Sequence, residues 1–299
     1  MSFAVIGMPV GHSLSPKMHR AAFEALGLPH TYFKIETSVE ELEGRLDALR
    51  RGDFSGFNVT VPHKRRVLDL VDTLDDSARA VGAANTLVRD RNGKLRAYNT
   101  DAAALEIELL QILQSRSSAA NAFKARSGAI LGTGGAARAA ASALSSLGCR
   151  RIFVVGRGLE VDARARAVTR EFEEILAATT PSIEWSGTPS VVAVPFERGV
   201  PQSRDLAVVV QATTSGMAGG PDGSIASNAV DWDAMPAGLI AYDVVYAPRE
   251  TPFLQAARSR GLAAVGGLGM LVGQGALAFH LWLGILPPLD AMHRAIGSP

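Results

Sequence analysis

Cys149 is the single cysteine in this 299-residue chain. No disulfide can close within the chain, and no paired-cysteine zinc site can be built from it. That scarcity, with an N-terminus (MSFAVIGMPVGHS) that has no basic flank before its apolar run, points to the cytoplasm. Charge of one sign is not in excess either: 30 Lys and Arg against 29 Asp and Glu leave a formal net charge of +1. We therefore expect no nucleic-acid partner. His12, His19, His63, His280 and His293 have no partners at ligand spacing, so we expect no metal and read them as structural. Long apolar runs are rare, with one exception. Residues 261–289 carry no charged side chain. Length alone suggests a membrane span there, and Gly269 and Gly273 have helix-pairing spacing. Seven glycines interrupt the segment and no Lys/Arg cluster brackets it. We expect no membrane span, but a buried strand over Leu262–Val265, a Gly-Gly turn, and a buried helix over Leu268–Leu283 that Pro287-Pro288 stops. No internal repeat or low-complexity tract is evident.

Hydrophobic residues make up 47% of the chain and charged residues 20%, an ordinary globular balance. The length suits two domains. Strand and helix patterns alternate almost throughout. Strands are expected at Phe3–Ile6, Tyr32–Ile35 and Gly56–Thr60, with helices up to Leu26, over Val39–Arg50 and over Lys64–Val71. Thr86–Arg89 and Leu95–Tyr98 flank Asn92-Gly93, a two-residue hairpin signal. A long helix follows over Asp101–Gln114. The polar stretch Ser115–Ser127 is the best candidate for a linker. Beyond it come strand Ala129–Leu131, helix Ala136–Leu147, strand Ile152–Val155, helix Asp162–Ala178, and strands Leu206–Gln211 and Leu239–Val245. Such alternation implies parallel sheets covered by helices on both faces. The fold class is α/β, with two open α/β domains, and the last helices returning to the first.

The stretch GAILGTGGAA over Gly128–Ala137 carries the clearest motif. An apolar strand runs into Gly132-Thr133-Gly134-Gly135-Ala136-Ala137, and a helix begins at once. This matches GxGxxG/A with alanine in the third place, in the strand–turn–helix setting the motif requires. Gly132 permits the tight turn and Gly134 the approach of a pyrophosphate, which the helix N-terminus attracts. The second domain is therefore expected to be Rossmann-type. The plain alternative is a glycine-rich turn without ligand. Arg157 lies twenty residues after Ala137, where an acidic residue would bind the ribose of NAD. An arginine there suits the 2′-phosphate of NADP; its plain alternative is a solvated charge.

Four polar clusters interrupt the first hundred residues: His12-Ser13-Leu14-Ser15-Pro16, Asn58-Val59-Thr60-Val61-Pro62-His63-Lys64, Ala84-Asn85-Thr86 and Asn99-Thr100-Asp101. Each lies at or just after a strand end, the edge that faces the ligand crevice in open sheets. Together they offer hydroxyls, amides, an ammonium and a carboxylate, a set suited to a small polyhydroxylated acid. No nucleophile triad or paired carboxylates stand among them. Singly, each residue has a plainer reading. Ser13 and Ser15 suit a turn or helix cap, as Asn58 and Thr60 suit a turn before Pro62. Lys64 suits a surface lysine, Asp101 a helix cap, Asn85 and Gln274 satisfied core amides, and Tyr246 an ordinary aromatic.

The series HSLSP, NVTVPHK, GAANTL, NTD, GTGGAARA, TTSGM, YDVVY with TPFL, and GLGMLVGQ closely resembles the shikimate dehydrogenase family, in its order and over nearly the whole chain. The resemblance implies a substrate-binding domain over residues 1–101, joined by C-terminal helices over 271–299, and an NADP-binding Rossmann-type domain over 102–270. It implies reversible reduction of 3-dehydroshikimate to shikimate. Lys64 and Asp101 would be the catalytic pair. Ser13, Ser15, Asn58, Thr60, Asn85, Tyr246 and Gln274 would hold the substrate. Gly132, Gly134, Gly135, Ala136 and Arg157 would hold NADP, with Val244, Gly267 and Met270 at its nicotinamide end. The chain departs from the family's Asn-Arg-Thr, having Gly156-Arg157-Gly158, and Val161 stands where a second basic residue is common. NAD use therefore stays open, as do a quinate/shikimate dehydrogenase, an enzyme for a related ring acid, a ligand sensor on the same fold, and a homodimer.

Overall fold

The computed structural model describes residues 1–115, 123–180 and 189–297. The chain divides into two compact units, Met1–Ala104 with Gly269–Pro299, and Leu105–Leu268.

The first unit opens with β1 (Ser2–Gly7), α1 (Ser15–Ala25), β2 (Thr31–Glu36), α2 (Leu42–Arg51) and β3 (Gly56–Val59). Then come β4 (Thr73–Leu74), α3 (Asp76–Val81), β5 (Thr86–Arg89), β6 (Leu95–Tyr98) and the start of α4 (Asp101–Ser115). Its six strands run in the order β2-β1-β3-β5-β6-β4. The sheet is mixed rather than parallel: β5 runs antiparallel to β3 and also to β6, to which a hairpin and not a helix joins it. That hairpin has a five-residue loop over 90–94, not the expected two-residue turn, since Arg89 pairs with Leu95. Asp90 Oδ1 accepts from the backbone N–H of both Asn92 and Lys94 at 2.8 Å and so holds the wider loop closed. The helix expected over Lys64–Val71 shrinks to a turn followed by a 3-10 segment at Arg66–Asp69. The Lys64 carbonyl accepts from Ala84 N at 2.7 Å, outside any helix, so its register is broken there.

α2 presents Leu42, Leu46 and Leu49 at helical spacing to a core that includes Ala4, Ile6, Phe57, Val59 and Leu87. The opposite face of the sheet is aromatic. Phe3 stacks on Trp282 at 4.8 Å between ring centroids, and Phe23 meets Phe279 at 5.4 Å. Both partners come from α9 (Leu268–Leu283), a helix of this unit from residue 269 onward. It ends at Leu283, ahead of the two prolines expected to stop it.

The second unit contains the rest of α4, then β7 (Ser127–Leu131), α5 (Gly135–Ser146), β8 (Arg151–Gly156), α6 (Asp162–Ala178), β9 (Ser190–Pro195) and β10 (Leu206–Gln211). α7 (Ser224–Asn228), β11 (Ile240–Asp243), α8 (Pro252–Ser259) and β12 (Ala263–Gly266) follow, before α9 and α10 (Leu289–Ile296). The order β9-β8-β7-β10-β11-β12 is parallel throughout, the doubly wound dinucleotide-binding topology. Phe153, Val155, Val209, Phe253 and Leu254 lie in its core. Of the expected linker, residues 116–122 fall outside the described residues; Ser115 still closes α4, and Ser127 opens β7. Among the described residues no helix is long and apolar enough to cross a membrane.

Candidate active site

Parallel packing of β1 against β3 brings together the loops that follow both strands. Thr60 N donates to Ile6 O at 2.9 Å and Met8 N to Val61 O at 2.8 Å. Beside them, Lys64 Nζ donates to Asp101 Oδ2 at 2.6 Å. Their side chains are 16% and 6% exposed, so the pair is sheltered yet reachable by a small molecule.

Asp101 does not cap its helix. Asn99 does, its Oδ1 accepting from Asp101 N and Ala102 N at 3.1 Å each. The Asp101 carboxylate is thereby released to face Lys64 and Asn85. Asn85 Nδ2 donates to Thr100 Oγ1 at 2.8 Å, Asp101 Oδ1 at 2.9 Å and Gln274 Oε1 at 3.2 Å. Two hydrogens are thus divided among three acceptors. Asn85 Oδ1 accepts in turn from Thr100 N at 2.8 Å. Gln274 is anchored by Nε2 donating to Leu271 O at 2.8 Å.

Asn58, whose Cα partner across the ladder is Thr86, donates from Nδ2 to Asn85 O and Thr86 Oγ1 at 3.1 Å each. Tyr32 OH donates to Asn58 Oδ1 at 2.6 Å. The Tyr32 ring stacks on His19 at 4.4 Å and an interplanar angle of 4°. His19 is fully buried, and among the described residues neither ring nitrogen has a hydrogen-bond partner. Burial alone pushes its pKa down to about 3, which keeps the imidazole neutral.

Ser13 and Ser15 are buried at the start of α1, where Ser15 N donates to Ser13 Oγ at 3.3 Å. Thr60 packs its methyl group against Gly7. Of the residues expected to hold substrate, the structure joins Asn58, Asn85 and Gln274 to Lys64 and Asp101 in one network. It sets Ser13, Ser15 and Thr60 on the adjoining β1 and β3 loops of the same unit. Tyr246 belongs to the other unit, in the loop after β11. Sequence reasoning placed Thr86, Asn99 and Thr100 in its polar clusters without giving them a role and read Tyr32 only as a strand residue; all four tie this floor together.

In the second unit, Gly132 closes β7 with φ +115°, and a β-carbon there would lie 3.2 Å from Ala212 O. It therefore sits where β7 and β10 diverge, the switch point of the sheet. Gly134 is the N-cap of α5 and makes no side-chain cap bond, and nothing lies within 4 Å of where its β-carbon would be. Gly135 and Ala136 begin the helix, so their N–H groups face an open approach. Arg157 is exposed directly after β8, and among the described residues its side chain has no hydrogen-bond or ion-pair partner. These features fit a dinucleotide phosphate chain with its adenosine ribose at the end of β8.

Val244 and Gly267 stand together after β11 and β12, a β-carbon on Gly267 meeting Val244 O at 2.5 Å. Met270 is buried in α9, in the first unit. A polar cluster missed by sequence reasoning braces this edge. Gln211 Nε2 donates to Ser215 O at 3.0 Å and to Asp243 Oδ1 at 3.4 Å, and Gln211 Oε1 accepts from Thr213 N at 2.6 Å. Asp243 accepts from Val245 N at 2.9 Å and Thr251 Oγ1 at 2.6 Å. Desolvation outweighs these bonds and pushes the Asp243 carboxyl up to about 6. Among the described residues no group of three or more His, Cys, Asp or Glu could hold a metal ion.

A doubly wound sheet with an open glycine turn, and a separate α/β unit carrying an ammonium–carboxylate pair on an amide floor, define a two-domain nucleotide-dependent dehydrogenase. Comparison with known proteins narrows the class. The shikimate dehydrogenase substrate binding domain matches residues 5–87, and the shikimate 5'-dehydrogenase C-terminal domain matches residues 267–296. A protein named shikimate dehydrogenase (NADP(+)) from Citrifermentans bemidjiense is 38% identical over 294 residues, covering 98% of this chain and 93% of its own. The shikimate 5-dehydrogenase of Thermus thermophilus, solved with NADP(H) and shikimate, is 35% identical with a TM-score of 0.76, over 99% of this chain and 98% of that one. The quinate dehydrogenase of Corynebacterium glutamicum, solved with NAD, is 30% identical with a TM-score of 0.79, over 99% and 98%. The chain belongs to the shikimate dehydrogenase family.

Proposed function

We propose that this protein is an NADPH-dependent shikimate dehydrogenase that reversibly reduces the ring ketone of 3-dehydroshikimate to shikimate in aromatic amino-acid biosynthesis. The observation that carries the reading is the Lys64–Asp101 pair at 2.6 Å, held on the amides of Asn85 and Gln274. The first unit is the substrate domain and the second the NADP domain. When bound, NADPH supplies the hydride to the ketone carbon.

The chain's own residues manage the charge that develops on the ketone oxygen. Lys64 has three N–H donors, of which Asp101 takes one, leaving others for that oxygen. Lys64 stabilises the oxyanion and supplies its proton. Asp101 orients the ammonium and accepts from a neighbouring ring hydroxyl. Asn85 holds Asp101 Oδ1, so the carboxylate cannot rotate away from Lys64. Ser13, Ser15, Thr60 and Tyr246 complete the recognition of the ring acid, with Asn58 bracing Asn85 and Thr86. Gly132, Gly134, Gly135 and Ala136 receive the phosphates, Arg157 the 2′-phosphate, and Val244, Gly267 and Met270 the nicotinamide end. A cytoplasmic location and a homodimer complete the reading; the lone, buried Cys149 supports the first.

A second reading, quinate oxidation with NAD, draws on the similarity to the quinate dehydrogenase and on the side-chain-free Gly156 and Gly158 beside Arg157. Following the nicotinamide absorbance with shikimate and quinate, each with NADP+ and NAD+, separates the two. The fastest turnover per KM with shikimate and NADP+ supports the proposal. Faster oxidation of quinate with NAD+ overturns it, and silence with every pair points to a sensor.

A further inference from the structure

Arg157 alone faces an unusual surrounding for a reader of the 2′-phosphate. Gly156 and Gly158 flank it without side chains, and Val161 carries no charge. The structure brings a second cation to this turn from further along the chain. Arg164, in the first turn of α6, folds back over Gly158. A β-carbon on Gly158 would lie 2.9 Å from Arg164 Nη1, 3.2 Å from its Cζ and 3.3 Å from its Cδ. The guanidinium therefore occupies the space that glycine leaves open, next to Arg157 in the chain. Gly158 also has φ +75°, which a side chain would strain.

The rest of the turn is fixed against the glycine loop. A β-carbon on Gly156 would lie 2.7 Å from Thr133 Cγ2, Leu159 is buried, and Gly132 N donates to Val155 O at 2.8 Å. The arginine turn thus adjoins the loop that receives the phosphate chain. Both arginines are exposed, and among the described residues neither side chain has a hydrogen-bond or ion-pair partner, although Glu160 and Asp162 are close in sequence. One arginine beside Gly158 in the chain and a second whose guanidinium lies over that glycine suit an external dianion, which each can grip with parallel N–H bonds.

We propose that Arg164 is a specificity-determining residue for the cofactor: with Arg157 it forms a two-guanidinium clamp for the ribose 2′-phosphate, reaching it over Gly158. This deepens, and rests on, the NADP reading above.

The test is direct binding, by calorimetry, of adenosine 2′,5′-bisphosphate and 5′-AMP to the wild type, Arg164→Gln, Arg164→Lys and Arg157→Gln/Arg164→Gln. Arg164→Gln should weaken the bisphosphate about tenfold, the loss of one charge-assisted contact, and leave 5′-AMP unchanged. Arg164→Lys should recover part of the loss, and the double variant should bind both nucleotides alike. kcat/KM with NADP+ should fall in parallel, with the NAD+ value unmoved. Unchanged bisphosphate affinity in Arg164→Gln, with the wild-type preference intact, overturns the role of Arg164 alone, as does an equal loss for both nucleotides. A wild type that binds the two nucleotides equally overturns the NADP reading as well.

Discussion

At the scale of single residues, the site depends on which amide takes which partner. Because Asn99 caps α4, Asp101 is free to hold Lys64, and this division of labour separates a charged reaction group from a structural one. Lys64→Ala should lower kcat for shikimate oxidation by about 10²–10⁴-fold, the range for a lost acid–base group, with a smaller effect on KM. Near-normal kcat would remove Lys64 from the chemistry. Gln274 is a subtler case. Without its Oε1, the two Asn85 Nδ2 hydrogens still reach Thr100 and Asp101, so no buried donor is orphaned. Gln274→Leu should therefore lower kcat/KM about tenfold while costing only about 1 kcal/mol of stability. Full activity with a much lower Tm would make Gln274 a structural amide instead.

At the scale of elements, the returning helix α9 completes the first unit. Trp282 lies so close to β3 that a β-carbon on Gly56 would meet its Nε1 at 2.2 Å. The same nitrogen donates to Leu87 O at 3.0 Å, tying the helix to β5. Gly56→Ala must push the indole aside and strain that bond. Overpacking of this kind costs about 1–3 kcal/mol, which denaturant titration would read as a lower midpoint at constant slope. An unchanged midpoint would mean that the helix shifts freely over the sheet. α9 also shows why an uncharged stretch need not be a membrane span: Met270, Leu271, Val272, Gln274, Ala276, Ala278 and Phe279 are all buried within the protein.

At the scale of the whole molecule, two large and opposed pH dependences of stability overlap between pH 4 and 6, one from each unit. The pKa of His19 is depressed from 6.5 to about 3, so its contribution is present above pH 6.5 and lost as pH falls towards 3. The pKa of Asp243 is raised from 3.8 to about 6, so its contribution is present below pH 3.8 and lost as pH rises through 6. Each changes stability by about 1.4 kcal/mol per pH unit inside its own window, and in the shared window the two nearly cancel. Asp243→Asn should therefore make the protein more acid-sensitive than the wild type between pH 4 and 6, and His19→Gln should make it lose stability as pH rises over that range. Denaturant unfolding across these pH values checks both, and curves parallel to the wild type would refute the assignment of the titrating groups.

The amino-acid sequence by itself determined the alternation of strands and helices, the glycine turn at Gly132–Ala137 and the four polar stretches that supply the site. Those features rest on periodicity, propensity and turn chemistry, which act over a few residues. α6 and α9 run over the spans their periodicity indicates. Tertiary structure decided the rest. It reversed β5 against β3, narrowed the segment after Lys64 to a short 3-10 turn, and chose Asn99 over Asp101 as the helix cap. It brought Gln274 to Asn85 across 189 residues and laid Arg164 over Gly158. Such pairings are settled by the packing of distant segments and by the requirement that buried polar groups find partners, and neither is encoded within a local stretch of chain.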